Sequence, residues 1–440
     1  MKMNKTLQST AVAVGLLSTS TVTHAAGFQL AEYSATGLGR AYAGEAAMAD
    51  GADAQWRNPA MLTYLEGTQV SVGGIYVNPN IDVKGEVNHA HPALGTSQAS
   101  SNDFADDAII PNLYISHRYN EKFAIGFAFG TNYGMETNLG DDFNASHFGN
   151  EASVITKEAN LNFAYQVVEQ VSIGGGIRYV MGEGSFGATA PAKNAIGLDS
   201  NQMPISAPEG TTLKYMEGED TAWGWQVGTA WQINEDHRIG FAYKSEVELK
   251  LEGHAEGIGF GMTPGQRDNG HMMLALPATA ELASFHQLTK ALAIHASFNW
   301  TDWSSFEKLQ AELDTYGSHT VKVENWEDNY RFAVGATYQI DPKLALRTGV
   351  AYDTSAVSDK NRTITIPETD RTWLSVGAGY QWSEQLSLDA GFTYIIAKDA
   401  PITESRGYAS DDAAEAVGGQ FIGTTTGNVW LVGVQADYHF

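Results

Sequence analysis

The stretch "YRFAVGATYQIDPKLALRTGVAY", Tyr330 to Tyr352, alternates in character on both sides of a short polar turn. Phe332, Val334, Ala336, Tyr338 and Ile340 share one face of an extended chain, while Arg331, Ala333, Gly335, Thr337 and Gln339 share the other. The turn then leads into a second alternating run. This is a β-hairpin with one apolar face and one mixed face.

The same unit occurs six times. Its turns lie in "YNEKFAIGFAFG" from Tyr119, "VVEQVSIGGGIRY" from Val167, "INEDHRIGFAYK" from Ile233, "HQLTKALAIHASFNW" from His286, "IDPKLALRTGVAY" from Ile340 and "WSEQLSLDAGFTY" from Trp382. Six tight hairpins supply twelve strands. "TQVSVGGIYVN" from Thr68 and "GNVWLVGVQADYHF" from Gly427 bring the count to fourteen. The links on the other side are long and polar, as in "GATAPAKNAIGLDSNQMPISAPEG" after Phe186 and "DAPITESRGYASDDAAEAVGGQF" after Lys398. An ordinary half-buried sheet would alternate in the same way, but it has no reason to sort its loops by length. Short turns on one side, long loops on the other and an even strand number predict an all-β fold, a 14-stranded antiparallel transmembrane β-barrel.

The amino terminus sets the compartment. Lys2 and Lys5, an apolar run from Ala11 to Leu17 and Thr23-His24-Ala25 read as a cleaved signal peptide, residues 1–25. The apolar run is far short of the roughly 20 residues that a membrane helix needs. Any membrane residence must then use strands. There are 26 Lys and Arg against 51 Asp and Glu, a net charge of −25, and losing Lys2 and Lys5 with the leader takes it to −27. That balance argues against nucleic acid as a partner, since phosphates need a basic surface. With no cysteine, the chain has no disulfides and no thiolate chemistry.

Between leader and first strand lies "GLGRAYAGEAAMADGADAQWRNPAML", Gly37 to Leu62. It has neither strand alternation nor a helical stripe. No Gly-Lys-Ser/Thr follows its glycines, so it is no phosphate loop. A fourteen-stranded barrel is wide enough to enclose something, and a Gly/Ala-rich segment can approach a wall closely. Residues 26–67 are therefore expected as a small N-terminal hatch inside the lumen of a barrel spanning 68–440. Asn58-Pro59-Ala60 reads as its rigid bend.

Enzyme motifs are weak. "EGSFG" at Glu183 lacks the first glycine of a nucleophile elbow, and His89 with His91 in "NHAHP" reads as loop polarity, so no cofactor or metal is expected. Acidic clusters such as "DFADDA" at Asp103 and Asp411-Asp412 read as solvated loop charges, able at most to meet divalent cations at a lipopolysaccharide surface.

"AGFQLAEYSATGLGRAYAGEAAMADGADAQWRNPA" resembles the amino-terminal hatch of the FadL family, outer-membrane transporters of long-chain fatty acids. "TNYGMET" at Thr131, "WGWQVG" at Trp223, "YKSEVELKLEG" at Tyr243, "NRTITIPETDRTWLSVG" at Asn361 and the closing "VWLVGVQADYHF" match in order. The terminal Phe440, two positions after Tyr438, resembles an outer-membrane assembly signal. The resemblance implies a monomer in the bacterial outer membrane that binds long-chain fatty acids or similar hydrophobic ligands among its outer loops. Cargo would pass to an interior pocket beside Phe28 and leave through a gap at the kinked third strand, where Gly130 and Gly134 flank Asn132 and Tyr133. The family's headgroup-binding basic residues are sought near the fourth-to-fifth hairpin and Trp326, where this chain shows Glu183 and Glu327. Strand parity offers Arg178, Lys244, Arg331, Arg347 and Arg371 as inward candidates instead. Aromatic hydrocarbon uptake, a general porin and an outer-membrane lipid hydrolase are the alternatives.

Overall fold

The computed structural model describes residues 27–140, 142–405 and 418–440. The expected leader and Asp411-Asp412 lie outside the described residues. Fourteen strands follow the hatch. They are Thr68–Asn88; Thr96–Ser101 with Ala108–Arg118; Phe123–Gly130 with Gly134–Asn138; Glu151–Val168; Val171–Thr189; Thr212–Asn234; His237–Lys244 with Val247–Glu256; Arg267–Leu276 with Thr279–Gln287; Leu292–Thr301 with Lys308–Leu313; Gly317–Val323 with Asn329–Gln339; Leu344–Asp353; Arg371–Gln381; Leu386–Ala397 with Ala400–Ser405; and Gln420–His439. All pair antiparallel with their neighbours, and the last closes on the first, with Gln69 opposite His439 and Asn88 opposite Gln420.

Alternation assigns the two faces. In the tenth strand Phe332, Val334 and Tyr338 are exposed while Arg331 and Ala333 are buried, and in the last strand Val432 and Val434 are exposed while Gln435 and Asp437 are buried. Outward aromatics recur eight residues apart at Trp223 and Trp231, Tyr330 and Tyr338, and Trp430 and Tyr438. At about 3.3 Å per residue on a strand tilted by roughly 40°, that spacing spans about 20 Å of membrane normal. The rings bound an apolar band a little shorter than the roughly 25 Å usual for outer-membrane barrels.

Residues 27–67 fill the lumen, and few of them touch solvent. The segment makes only short helices, Ala35–Leu38 capped by Ser34 and Ala54–Arg57, then a 3-10 turn Pro59–Tyr64. It therefore relies on the wall for its hydrogen bonds. Wall side chains Gln435 and Glu281 accept the backbone N–H groups of Ala35 and Ala46, each at 3.0 Å. Asn58 accepts from the N–H of Ala60 at 3.0 Å and donates to the carbonyls of Ala46 at 2.6 Å and Thr229 at 3.0 Å. Inside the hatch, Arg40 pairs with Glu45 at 2.8 Å and Asp50 at 2.6 Å.

The docking is backbone against backbone. A Cβ on wall residue Gly240 or Gly349 would overlap the carbonyl of Ala46 or Arg40, and one on Gly377 would meet the Cα of Gly39 at 2.6 Å. Glycines on separate strands thus form a socket that no larger residue could make. Gly349→Val is expected to unseat the hatch while leaving the strand paired, raising single-channel ion conductance in planar bilayers severalfold; unchanged conductance would show that the hatch does not depend on that contact.

Candidate functional site

Phe28 stands at the centre of a box of rings. Its centroid lies 4.6 Å from Trp303, 5.6 Å from Phe306, 5.9 Å from Trp326 and 6.2 Å from Tyr133. Trp303 and Phe306 reach inward because the ninth strand is interrupted between Thr301 and Lys308 by a short 3-10 turn, Trp303–Ser305. Gly27, at φ +62°, threads between the two tryptophans, where a Cβ would meet the Trp303 ring at 2.7 Å. Next to Phe28 is a cavity of about 30 Å³, lined chiefly by Met135, Phe186, Leu251, Met272 and Lys322. That is room for about one water. A long ligand can occupy it only if Phe28 or its neighbours move.

Two charged side chains line this apolar space. Lys322 forms an ion pair with Glu404 at 2.7 Å and lies 5.5 Å above the Phe186 ring. Glu324 accepts the indole N–H of Trp326 at 3.0 Å through one oxygen, and its other oxygen has no hydrogen-bond partner among the described residues. Burial raises the Glu324 carboxyl to about 7, against the pull of Lys322 and the Trp326 bond.

Below the box the wall opens. Pairing of the second and third strands ends at Leu113 opposite Phe129, and the next contact is an isolated bridge from Ala105 to Thr137. On its other side the third strand pairs Gly130 with Glu158 and Gly134 with Ile155, four steps against three. The extra residue is a β-bulge that bends Thr131–Tyr133 inward. The hatch takes the vacated pairing positions. Leu30 donates its N–H to the Asn132 carbonyl and Gly134 donates to the Phe28 carbonyl, both at 2.7 Å. Asn132 also donates to Glu158 at 2.7 Å and accepts from Lys244 at 3.1 Å, while the Tyr133 hydroxyl donates to the Pro277 carbonyl at 2.6 Å.

The five basic residues suggested by strand parity all point inward, but to separate places. Arg178 holds Glu158 through two bonds of 2.8 Å and, with Lys244, belongs to the network under the kink. Arg331 sits 3.4 Å from Asp353 and donates to the Ala41 carbonyl at 2.6 Å, fastening the hatch. Arg347 pairs with Asp389, and Arg371 with Glu368 at 2.8 Å. None of the five lines the cavity beside Phe28. Glu183 and Glu327 are exposed. Lys322 was hidden from parity because Leu309 opposes Lys322 while Gln310 opposes Thr320, which leaves Val321 as an extra residue. The bulge turns both Val321 and Lys322 inward, so the strand period broke where it was needed.

Glu158 neutralises buried cations, so its loss should be severe. Glu158→Ala is expected to cost about 3–5 kcal/mol in urea unfolding of the detergent-solubilised protein. A cost below about 1 kcal/mol would mean that the network is solvated.

Residues 16–440 match the family of outer membrane protein transport proteins (OMPP1/FadL/TodX). The chain is 32% identical over 458 residues to a long-chain fatty acid transport protein of Escherichia coli O6:H1, covering 99% of this chain and 98% of that one. It is 36% identical over 429 residues to outer membrane protein P1 of Haemophilus influenzae, covering 92% of each. Among solved structures, a Pseudomonas aeruginosa FadL homologue superposes with a TM-score of 0.81 at 24% identity, covering 94% of this chain and 99% of that one. The Pseudomonas putida toluene transporter TodX superposes at 0.67 with 15% identity, covering 94% and 100%; at such identities these two likenesses speak for the fold alone. A plugged fourteen-stranded barrel whose whole length aligns with these proteins belongs to the FadL family of outer-membrane transporters of hydrophobic substrates, a family of channels rather than enzymes.

Proposed function

We propose that the protein takes up long-chain fatty acids, holding the acyl chain where Phe28 now sits and the carboxylate on Lys322, and releases them sideways at the third-strand kink. The observation that carries this reading is Lys322, a cation on the wall of an otherwise largely apolar pocket. A buried charge must be paired, and Glu404, its present partner, occupies the position that a ligand carboxylate would take. The likeness to the E. coli fatty acid transport protein supports the same substrate class.

Lateral release has its own support. Beneath the kink the lumen is lined by Gln55, Asn112, Asn160, Asn162 and Gln226, all buried. Taking an acyl chain through that polar zone forfeits roughly 0.8 kcal/mol for each methylene that leaves an apolar setting. The gap between the second and third strands opens toward lipid, and residues 28–30 close it with two backbone hydrogen bonds. Withdrawal of the hatch terminus would empty the aromatic box and unseal the wall together. The sheet closes on itself through the pairing of its first and last strands, which supports a monomer.

Trp303, Phe306, Trp326 and Tyr133 around one phenyl ring also favour a second reading, uptake of neutral aromatic hydrocarbons. Equilibrium binding to detergent-purified protein separates the two. Lys322→Met should weaken hexadecanoate roughly 10- to 100-fold and leave hexadecanol and toluene unchanged. Preference for toluene, with no effect of the substitution, would move the assignment to hydrocarbons.

Glu324 adds a pH dependence. Protonated below about 7, it tolerates a second carboxylate beside Lys322, and ionised above that value it repels one. Hexadecanoate affinity should therefore fall from pH 6 to pH 8 in the native protein and stay flat in Glu324→Gln, and equal slopes would remove Glu324 from the binding site.

A further inference from the structure

The barrel wall has a second interruption, above the membrane band. The eleventh and twelfth strands end outward at Asp353 and begin at Arg371, whereas the tenth and thirteenth continue outward as Gly317–Val323 and Ala400–Ser405. Among the described residues those two extensions pair only with the ninth and fourteenth strands, which leaves a space two strands wide between them. Residues 354–370 fold into the notch as a strap and bury Ala356, Val357, Ile364 and Ile366.

The strap is tied at both ends, by Thr354 to Tyr330 and Asp370 to Lys398, and along its length, where the Ala356 carbonyl accepts from Glu327 at 2.8 Å, Asn361 donates to the Asn325 carbonyl at 3.0 Å and Lys322 donates to the Thr365 hydroxyl at 3.4 Å. Its Ile364 N–H donates to Glu404 at 2.8 Å, and its Thr365 carbonyl accepts from the Thr137 hydroxyl at 3.0 Å. Arg362 gathers its ends by donating to the Glu368 carbonyl at 2.8 Å and the Val357 carbonyl at 3.3 Å, and fastens it to the thirteenth strand through the Pro401 carbonyl at 2.8 Å. Thr365 and Ile366 also line the cavity beside Phe28, so displacing the strap would open that cavity outward. Lys322 and Glu404 face each other across the notch from the tenth and thirteenth strands. Glu404 thus binds the pocket cation with one oxygen and the strap backbone with the other.

We propose that residues 354–370 form a gate operated by the ligand's headgroup, with Glu404 as its latch. The inference rests on the fatty-acid reading of the Lys322 pocket. An arriving carboxylate that takes Lys322 leaves Glu404 as a second anion beside one cation, in a place where unpaired charge is strongly disfavoured. Glu404 regains hydration by swinging outward, which breaks its bond to Ile364 and loosens the strap. Neutral amphiphiles have no such effect. The acid thereby opens the side of its own pocket, and Glu404 becomes a specificity-determining residue that touches no acyl carbon.

The chain has no cysteine, so a single Thr363→Cys reports on the strap, with Ala356→Cys as an independent reporter in case the first disturbs packing. The measurement is the rate of maleimide labelling of folded, detergent-purified protein with hexadecanoate, hexadecanol or no ligand. Hexadecanoate should raise the rate at least about fivefold and hexadecanol should not. Lys322→Met should abolish the rise. Glu404→Gln should bind hexadecanoate at least as tightly while showing no rise, because no anion is displaced. Saturable hexadecanoate binding without faster labelling at either position would overturn the gate and leave the fatty-acid reading standing. Equal acceleration by hexadecanol would overturn the charge latch. Absence of Lys322-dependent hexadecanoate binding would remove the underlying reading, and the gate with it.

Discussion

In hydrocarbon every backbone N–H and C=O must find a partner within the protein, and only a closed sheet gives that to a chain crossing as strands. The pairing of Thr68–Asn88 with Gln420–His439 meets the requirement, and the rest of the architecture is organised by it. Where the ladder is broken, protein supplies the missing partner. Phe28 and Leu30 bond the third strand where the second has left it, and residues 354–370 occupy the place of two absent strand extensions. Both interruptions adjoin the pocket around Phe28. A wall opening is affordable only where a movable segment can close it, so the two fillings are the parts most suited to movement.

The hatch meets the same demand by different means. Its short helices leave backbone groups unpaired, and wall side chains such as Gln435 and Glu281 bond them. Glycines at 240, 349 and 377 let the two backbones touch. Buried cations in the interface are paired, Arg40 with Glu45 and Asp50 inside the hatch and Arg347 with Asp389 on the wall. Such pairs contribute little net stability against an apolar alternative, but breaking one leaves a buried charge, so they specify a single seating. The amino-terminal end is tied by two backbone bonds to the third strand, by the Thr301 hydroxyl donating to Gln29 at 2.8 Å, by the Gly27 N–H on the Glu368 carboxylate and by a ring box. Movement confined to residues 27–30 leaves the Arg40 and Arg347 pairs in place.

Legibility in the sequence followed the regularity of the chain. Strand number, faces and closure were readable because a period of two persists through "YRFAVGATYQI" and its counterparts, and because tight turns occur on one side only. The kink was expected from the family resemblance, which points to the third strand, where Gly130 and Gly134 flank Asn132 and Tyr133. Lys322 was not, since the bulge at Val321 reverses parity two residues before the strand breaks. The aromatic box was equally hidden, for Trp303 and Phe306 come from an interruption of the ninth strand and meet Trp326 and Phe28 only in space. "NRTITIPETD" carries β-branched residues without a partner run, so nothing local announces that Ile364 and Ile366 turn into the barrel. In each case a local departure from the strand period placed the side chain, and periodicity is silent about its own exceptions.

The distribution of polarity along the barrel axis gives the passage a direction. Near the outer end, Met135, Phe186, Leu251, Met272 and the aromatic box form one apolar cluster. At the level of the kink, Glu158, Arg178, Asn132 and Lys244 form a fully hydrogen-bonded network, and below it amides and hatch charges fill the lumen. On the proposed reading, an acyl chain in the upper cluster faces a polar floor, and its way out is the interrupted pairing beside Asn132 and Tyr133. The network under the kink has to stay intact for this to work, because a cation released from Glu158 would draw the carboxylate down and hold it. With Arg178 held by Glu158 and Lys244 bonded to Asn132, the proposed reading leaves Lys322, higher in the pocket, as the cation that can exchange partners, with the headgroup above the third-strand gap.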